Sequence, residues 1–306
     1  MKEIKYKKLK WLNLEKPNET DVLTLKKKFK FHELDVEDCL SETQRPKIDE
    51  YDSYLFIVLE FPYYHKNSKT LETEQLNIFI GQDYLVTLSN GHLPPISKIF
   101  NSCEKSIKSK REFFGDNIGF LLYEIINGLF DDIFPIVDSI QLSLKQIEKH
   151  IFHSSHPRDQ LYKIMIMKKN IITLRNLILP QRSVVAALEH KQKRFIADEL
   201  VIYFDDIVDQ IEKIWNILDM QKEVIESLED THESLLSHNI NNTMRTLTVF
   251  SAIMLPLTFL TGLFGMNVKL PFTMALDNLN HFWSILIIMT SVTASLFVIF
   301  KIKKWL

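Results

Sequence analysis

The sequence contains few of the residues that interrupt helices, and few cysteines. Of its 306 residues, 7 are glycine, 10 are proline and 2 are cysteine. Cys39 and Cys103 lack the spacing of a metal site, so we interpret them as reduced thiols in the cytosol. A formal net charge of -2 leaves no basic excess and gives no sign of a nucleic-acid partner.

Signatures of enzyme chemistry are also missing. The sequence has no phosphate-binding loop, no nucleophile elbow and no helical zinc motif, and its 10 histidines are scattered. His153 and His156 are close together, but they precede Pro157, a pattern typical of a break between helices. We therefore predict neither an enzyme nor an organic cofactor.

Two apolar stretches without a formal charge lie near the end of the sequence, at residues 246–268 and 278–300. A helix needs about 20 apolar residues to cross the hydrocarbon core of a bilayer, and both stretches are long enough. The N-terminus has no apolar signal-peptide core, and Lys301, Lys303 and Lys304 follow the second stretch, as the positive-inside rule expects. We expect a protein of the bacterial or archaeal inner membrane, embedded in the lipid bilayer, with both termini in the cytosol.

The first part of the chain mixes short apolar runs with turn signals. Residues 55–59 favour a strand, and residues 76–80 and 84–88 flank Gly81, a pattern typical of a β-hairpin. Residues 17–20 contain the signals of a helix start. This region is predicted to form an α/β domain.

Long helices are predicted after it, because no glycine lies between Gly128 and Gly262. We expect helices at 95–112, 116–151, 158–190 and 196–263. The last carries an apolar stripe at helical spacing, made of Phe204, Ile207, Ile211, Ile214, Leu218, Ile225, Leu228 and Leu235. Unbroken, it would have about 65 residues and a length of roughly 100 Å, coupling the cytosolic part to the membrane. The alternative is a break near residues 237–239.

The predicted organisation follows from these elements. The cytosolic part comprises an α/β domain at 1–95, a helical segment at 96–195 and a stalk helix at 196–245. The stalk helix continues into a first span at 246–268, which is followed by an external loop at 269–281, a second span at 282–300 and a basic cytosolic tail at 301–306.

Acidic residues are concentrated in the stalk. Residues 204–233 contain ten acidic and only two basic side chains, whereas the preceding helix is rich in lysine and arginine. One interpretation is that two solvated faces of opposite charge attract each other. The other is an acidic surface for divalent cations such as Mg²⁺, which prefer carboxylate ligands. The candidates are Asp205, Asp206, Asp209 and Asp230.

A second stripe lies in the first span. Steps of three and four residues place on one helical face Asn241, Met244, Thr248, Ser251, Leu255, Thr258 and Gly262. Polar residues of a membrane helix face protein or water, so this face predicts a pore or, alternatively, helix packing through small residues. One such helix cannot enclose a pore, so a pore requires several copies. Met244 and Leu255 could form apolar constrictions that close by dewetting.

The turn after this span favours the pore. Gly265 permits positive φ or close backbone approach, and Asn267 places an amide at the external end. Mg²⁺ gives up its water reluctantly, and a ring of amide carbonyls can accept hydrogen bonds from the water around a hydrated ion.

At these residues the sequence resembles the CorA family of divalent-cation transporters. The similarity consists of Gly265-Met266-Asn267 at the end of the first of two C-terminal spans, residues 254–259 before it, the basic ending 303–306, and residues 44–47 with 54–57 near the N-terminus. It extends over nearly the whole chain.

The resemblance implies a homopentameric funnel of cytosolic α/β domains and long helices, in which the first spans line the pore. It implies that Asn267 binds hydrated cation at the outer mouth, with Gly265 and Met266 in the same motif. Pore-facing positions would be Asn241, Met244, Leu255 and Thr258. Asp206 would hold regulatory Mg²⁺ at the subunit interface, so that cytosolic Mg²⁺ closes a channel for Mg²⁺, Co²⁺ and Ni²⁺.

Two positions depart from the family pattern. Lys269 stands in an outer loop that is often acidic, and Phe264 stands where tyrosine is common. The alternatives are the zinc-transporting branch of the same superfamily and a membrane-anchored scaffold or sensor whose acidic helix binds a protein partner.

Overall fold

The computed structural model describes residues 2–41, 44–64, 69–152, 157–188, 195–266 and 278–305. The chain divides into two compact units, Met1–Asp230 and Thr231–Leu306. The first unit contains a β-sheet and most of the helices. The second contains the end of one long helix and a further apolar helix.

The sheet of the first unit has six strands in the order β1-β2-β6-β5-β4-β3. The strands are β1 Lys2–Tyr6, β2 Leu9–Glu15, β3 Lys47–Glu50, β4 Leu55–Tyr64, β5 Leu71–Ile80 and β6 Tyr84–Ser89. β2 and β6 pair in parallel, and the other neighbours pair antiparallel. The prediction of an α/β domain is confirmed, although the sequence patterns had not indicated β1, β2 or β3.

The predicted hairpin is β5–β6. Ile80 pairs with Leu85, and the Gly81 N–H donates to the Tyr84 carbonyl oxygen at 2.9 Å. A Cβ at position 81 would lie 2.2 Å from the Tyr84 ring, so this turn accepts glycine and no larger side chain without rearrangement.

The helices are α1 Glu19–Phe29, α2 Glu33–Leu40, α3 Pro94–Lys105, α4 Ile107–Phe114, α5 Ile118–Asp131, α6 Ile133–His150, α7 Pro157–Leu188, α8 Val201–Phe264 and α9 Asn278–Ile302. The predicted start near residue 18 is confirmed. Asn18 caps α1 by accepting from the Asp21 N–H, and the Asp21 side chain accepts from the Asn18 N–H.

Two predicted helices are each divided in two. The helix expected at 95–112 is interrupted at Ser106, whose hydroxyl caps α4 by accepting from the Lys108 and Ser109 N–H groups. The helix expected at 116–151 is interrupted at Asp132. Pro135 explains this break, since its ring nitrogen cannot donate to the carbonyl four residues earlier.

The two later helices agree better with expectation. Helix α7 starts at Pro157 and ends at Leu188, and residues 189–190 of its predicted range lie outside the described residues. Helix α8 starts at Val201 rather than 196, because a short 3₁₀ turn at Asp198–Leu200 precedes it. It continues for 64 residues, so the alternative of a break near residues 237–239 is wrong.

Within the described residues α7, α8 and α9 are long and apolar enough to cross a membrane. However, in the most apolar 18-residue segment of each helix the buried share is 44% for α7, 6% for α8 and 0% for α9. The apolar segment of α7 therefore partly faces the protein core, whereas the most apolar segments of α8 and α9 are uncovered.

Two buried amides attach α7 to the sheet. The Asn170 side chain accepts from the Leu71 N–H at 2.9 Å and donates to the Lys69 carbonyl oxygen at 2.8 Å. Gln181 donates to the Glu60 carbonyl oxygen at 2.7 Å and accepts from the Glu60 N–H at 3.3 Å. These bonds satisfy backbone groups of Glu60 in β4, of Leu71 in β5 and of Lys69 just before it, so α7 belongs to the sheet-containing unit.

Candidate functional site

The first part of α8, before the span, buries the apolar stripe predicted from the sequence. Seven of its members, Phe204, Ile207, Ile211, Ile214, Leu218, Ile225 and Leu228, are at most 7% exposed, and Leu235 is partly exposed. Because this face packs against the core, the charged residues of α8 are confined to the sides and the outer face.

Ion pairs connect α7 and α8. Lys168 contacts Glu229, Arg175 contacts Asp219 at 2.8 Å, and Arg182 contacts Glu212. The three basic residues are seven positions apart, so they lie along one face of α7. The interpretation of mutually attracting faces is therefore confirmed for these three acids.

The acids at the start of α8 have no such partners. Asp205, Asp206 and Asp209 are exposed and form no ion pair within the described part of the chain. Across from them on α5, burial, and then the charge of Asp206, raise the pKa of the Asp131 carboxyl. The two helices thus form an uncompensated acidic surface, which we call the α5–α8 acidic surface.

Asp230 does not belong to this surface. The Glu229 hydrogen bond raises the pKa of Lys168, and the charge of Asp230 acts in the same direction, so Asp230 lies beside that ion pair. Along α8 it is about 36 Å from Asp206, at 1.5 Å per residue. One cation cannot use both carboxylates of the same chain.

Within the described ranges, no group of three or more histidine, cysteine, aspartate or glutamate side chains is arranged to hold a metal ion. The described part of one chain therefore does not supply a complete set of this kind around Asp206. A cation at the α5–α8 acidic surface would need water molecules or groups from another copy as additional ligands.

The stripe of the first span is uncovered in the single chain. Exposed side chains or backbone occur at all seven positions, which are Asn241, Met244, Thr248, Ser251, Leu255, Thr258 and Gly262. The opposite side is more buried, with Val249 7% exposed and Ala252, Ile253, Pro256 and Leu260 partly buried. In the same unit, partly buried residues of α9 recur at similar spacing, at Ile285, Met289, Val292 and Leu296. The stripe thus lies on the exposed side of α8, where it is free for other contacts.

The two threonine hydroxyl groups of the stripe bond to their own helix. Thr248 donates to the Met244 carbonyl oxygen at 2.7 Å, and Thr258 donates to the Met254 carbonyl oxygen at 2.8 Å. Each hydroxyl oxygen can still accept a hydrogen bond. At Gly262 a Cβ would meet nothing within 4 Å among the described residues, so no contact with them requires glycine there.

Helix α8 ends in the turn predicted from the sequence. The Gly265 N–H donates to the Thr261 carbonyl oxygen at 2.9 Å, and Gly265 and Met266 are both exposed. A Cβ on Gly265 would lie 2.8 Å from that oxygen, and the φ of Gly265 is not positive, so close backbone approach is the reason for glycine. Asn267 and the external loop that follows it, with Lys269, lie outside the described residues.

The basic residues after the second span are exposed at Lys301, Lys303 and Lys304. The Arg245 guanidinium donates to the Lys304 carbonyl oxygen at 3.5 Å. This contact links the start of the first span to the end of the second, and no sequence pattern had indicated it.

Comparison with known proteins decides the family. The model of the CorA-like Mg²⁺ transporter protein family matches residues 6–304. The chain belongs to this family. Its members are membrane transporters of divalent cations rather than enzymes, as the residues of the sequence had suggested.

Relatives of the CorA family resemble the chain over most of its length. YfjQ of Bacillus subtilis strain 168, whose name describes a metal ion transporter, is 30% identical over 96% of this chain and 89% of its own. The cobalt/magnesium transport protein CorA of Thermotoga maritima is 29% identical over 97% of this chain and 83% of its own. The solved structure of the CorA magnesium transporter from Methanocaldococcus jannaschii superimposes on this chain with a TM-score of 0.84 and 23% identity. The match covers 100% of this chain and 95% of the solved chain. The predicted fold, an α/β domain with a long helix and two C-terminal apolar helices, is thereby confirmed.

Proposed function

We propose that this CorA-family protein is a passive uptake channel for Mg²⁺ that also admits Co²⁺ and Ni²⁺. Several copies, five as the family resemblance implies, would surround one pore in the inner membrane. The observation that carries the proposal is the uncovered stripe of α8. This face has small, polar and flexible side chains and lies opposite the more buried side of the same helix. The relative from Thermotoga maritima is named for cobalt and magnesium, which supports this choice of ions.

The mouth of the pore is assigned to Gly265, Met266 and Asn267. A ring of Asn267 amides would accept hydrogen bonds from the water around a cation and select it without dehydration. Farther along, Met244 and Leu255 are 58% and 72% exposed and would narrow the path as apolar rings. Entry into a cell with a negative interior is favourable by about 2.3 kcal/mol per charge per 100 mV, which doubles for a divalent ion.

Cytosolic Mg²⁺ would close this channel at Asp206, with Asp205 and Asp209 beside it. A cation bound between neighbouring copies would neutralise the α5–α8 acidic surface and hold the copies together. At low Mg²⁺ the exposed carboxylates would repel and the cytosolic part would loosen. Binding that favours the closed state is the coupling that such regulation requires.

The test is Mg²⁺ influx into liposomes that contain the purified full-length protein. Asn267→Ala removes the amide at the mouth and is expected to reduce influx at least about tenfold, since a ring of several ligands is lost at once. The control is Asn242→Ala, which removes an exposed amide of α8 that lies outside the stripe and should leave influx unchanged.

The outcomes separate the alternatives. Absence of influx from active, correctly inserted wild-type protein would favour a membrane-anchored scaffold or sensor. Equal influx in Asn267→Ala and the wild type would remove the amide mouth from the proposal.

A second candidate function is transport of Zn²⁺. The name of the Bacillus subtilis relative specifies a metal ion without saying which one. Competition among Mg²⁺, Co²⁺, Ni²⁺ and Zn²⁺ in the same liposomes decides between them. Uptake of Zn²⁺ that excess Mg²⁺ does not reduce would favour the zinc alternative.

A further inference from the structure

Two neutral amides lie between the carboxylates of the α5–α8 acidic surface. The Gln210 Nε2 donates to the Asn127 Oδ1 at 2.8 Å and to the Asp206 Oδ2 at 3.3 Å. The Asn127 Nδ2 donates in turn to the Asp131 Oδ2 at 3.4 Å. A continuous chain of side-chain contacts therefore runs from Asp131 on α5 to Asp206 on α8.

This amide bridge joins parts of the sequence that are 83 residues apart. Gln210 lies one helical turn after Asp206, so its side chain is directed to the same face of α8. Its Oε1 is buried and has no hydrogen-bond partner among the described residues, while its Nε2 makes both contacts. The side chain is thus held as a donor toward Asp206.

The bridge affects the carboxylate in two ways. A donor to one oxygen restricts the rotamers of an exposed aspartate, which otherwise loses entropy when it binds a cation. The N–H donors of the two amides also stand between the Asp206 and Asp131 carboxylates and reduce the repulsion between them. The second oxygen of Asp206 remains available to a ligand.

We propose that Gln210, supported by Asn127, is a positioning residue that orients the Asp206 carboxylate for regulatory Mg²⁺. This rests on the proposed function, in which Asp206 binds that ion at the subunit interface. Gln210 is not itself a ligand, because its only outward-facing groups are N–H donors.

The experiment measures the internal Mg²⁺ concentration that halves influx into liposomes containing the full-length protein. Gln210→Met keeps the length of the side chain and removes both N–H donors. It is expected to raise the half-inhibitory concentration roughly three- to tenfold, the effect of losing one typical hydrogen bond. Asn127→Leu should have a similar effect, and the double variant should be no worse than either single one, since both changes break the same bridge.

The control is Asn216→Leu, which removes an exposed amide from the same helix and should leave half-inhibition unchanged. A parallel readout is the increase in thermal midpoint produced by added Mg²⁺. If Gln210 has a purely structural role, Gln210→Met should lower the midpoint of thermal unfolding without Mg²⁺, and added Mg²⁺ should raise it as much as in the wild type. If Gln210 positions Asp206, the same Mg²⁺ concentration should raise the midpoint less than in the wild type.

Asp206→Asn distinguishes the two levels of the proposal. If this variant keeps normal inhibition, regulation at Asp206 is wrong and the role of Gln210 in it is lost as well. If Asp206→Asn abolishes inhibition while Gln210→Met retains the wild-type value, only the positioning role is refuted. Additive effects of the Asn127 and Gln210 changes would also contradict a shared bridge.

Discussion

At the scale of single residues, buried side-chain amides join distant segments of the chain, and the sequence patterns could not reveal these contacts. Glutamine in a helix is usually exposed, yet Gln181 is 0% exposed and bonds to both backbone groups of Glu60, 121 residues away. Asn170 does the same for the backbone near residue 70. Periodicity identifies apolar faces, but a polar contact between distant segments has no local signal.

Replacing Gln181 with leucine should destabilise the protein. The change keeps the volume but leaves the Glu60 N–H and carbonyl without partners, at a cost of about 1–3 kcal/mol in the free energy of unfolding. Thermal unfolding of the full-length protein in detergent measures the effect. Gln146→Leu, at an exposed position of α6, is the control, and an equal loss in both variants would contradict the role assigned to Gln181.

At the scale of elements, α8 combines two stripes of different exposure in one helix. The stripe that begins at Phe204 is buried and the stripe of the span is exposed, and both were predictable from steps of three and four residues. The breaks at Ser106 and Asp132 were harder to foresee. They depend on a serine cap and on Pro135, single residues within otherwise helical sequence.

An interruption of α8 should uncouple regulation from transport. Ser237→Pro introduces a proline at an exposed position in the middle of the helix, which costs about 3 kcal/mol locally and breaks the hydrogen-bond ladder. Influx is then expected to persist at internal Mg²⁺ concentrations that close the wild-type channel. Ser237→Ala keeps the ladder and should be inhibited normally, and full inhibition of the proline variant would argue against mechanical coupling through α8.

At the scale of the whole molecule, the sequence was sufficient for the family but not for every site residue. The two uncharged stretches and the motif at 265–267 indicated the class of protein, and the family match over residues 6–304 confirms it. The acids of α8 looked alike in the sequence, yet three bond to α7 and Asp230 lies beside one of these pairs. Only the packing of α7 and α5 against α8 distinguishes paired acids from the exposed group at Asp206.

The central claim is that the stripe of α8 faces a water-filled path. The most direct measurement is the accessibility of single cysteines introduced along residues 244–262 to a charged thiol reagent, in a full-length background without Cys39 and Cys103. Blockage of Mg²⁺ influx should peak at positions 244, 248, 251, 255, 258 and 262 and be weak at 249, 253, 256 and 260. Modification centred on the second set, or equal at all positions, would contradict a pore on this face.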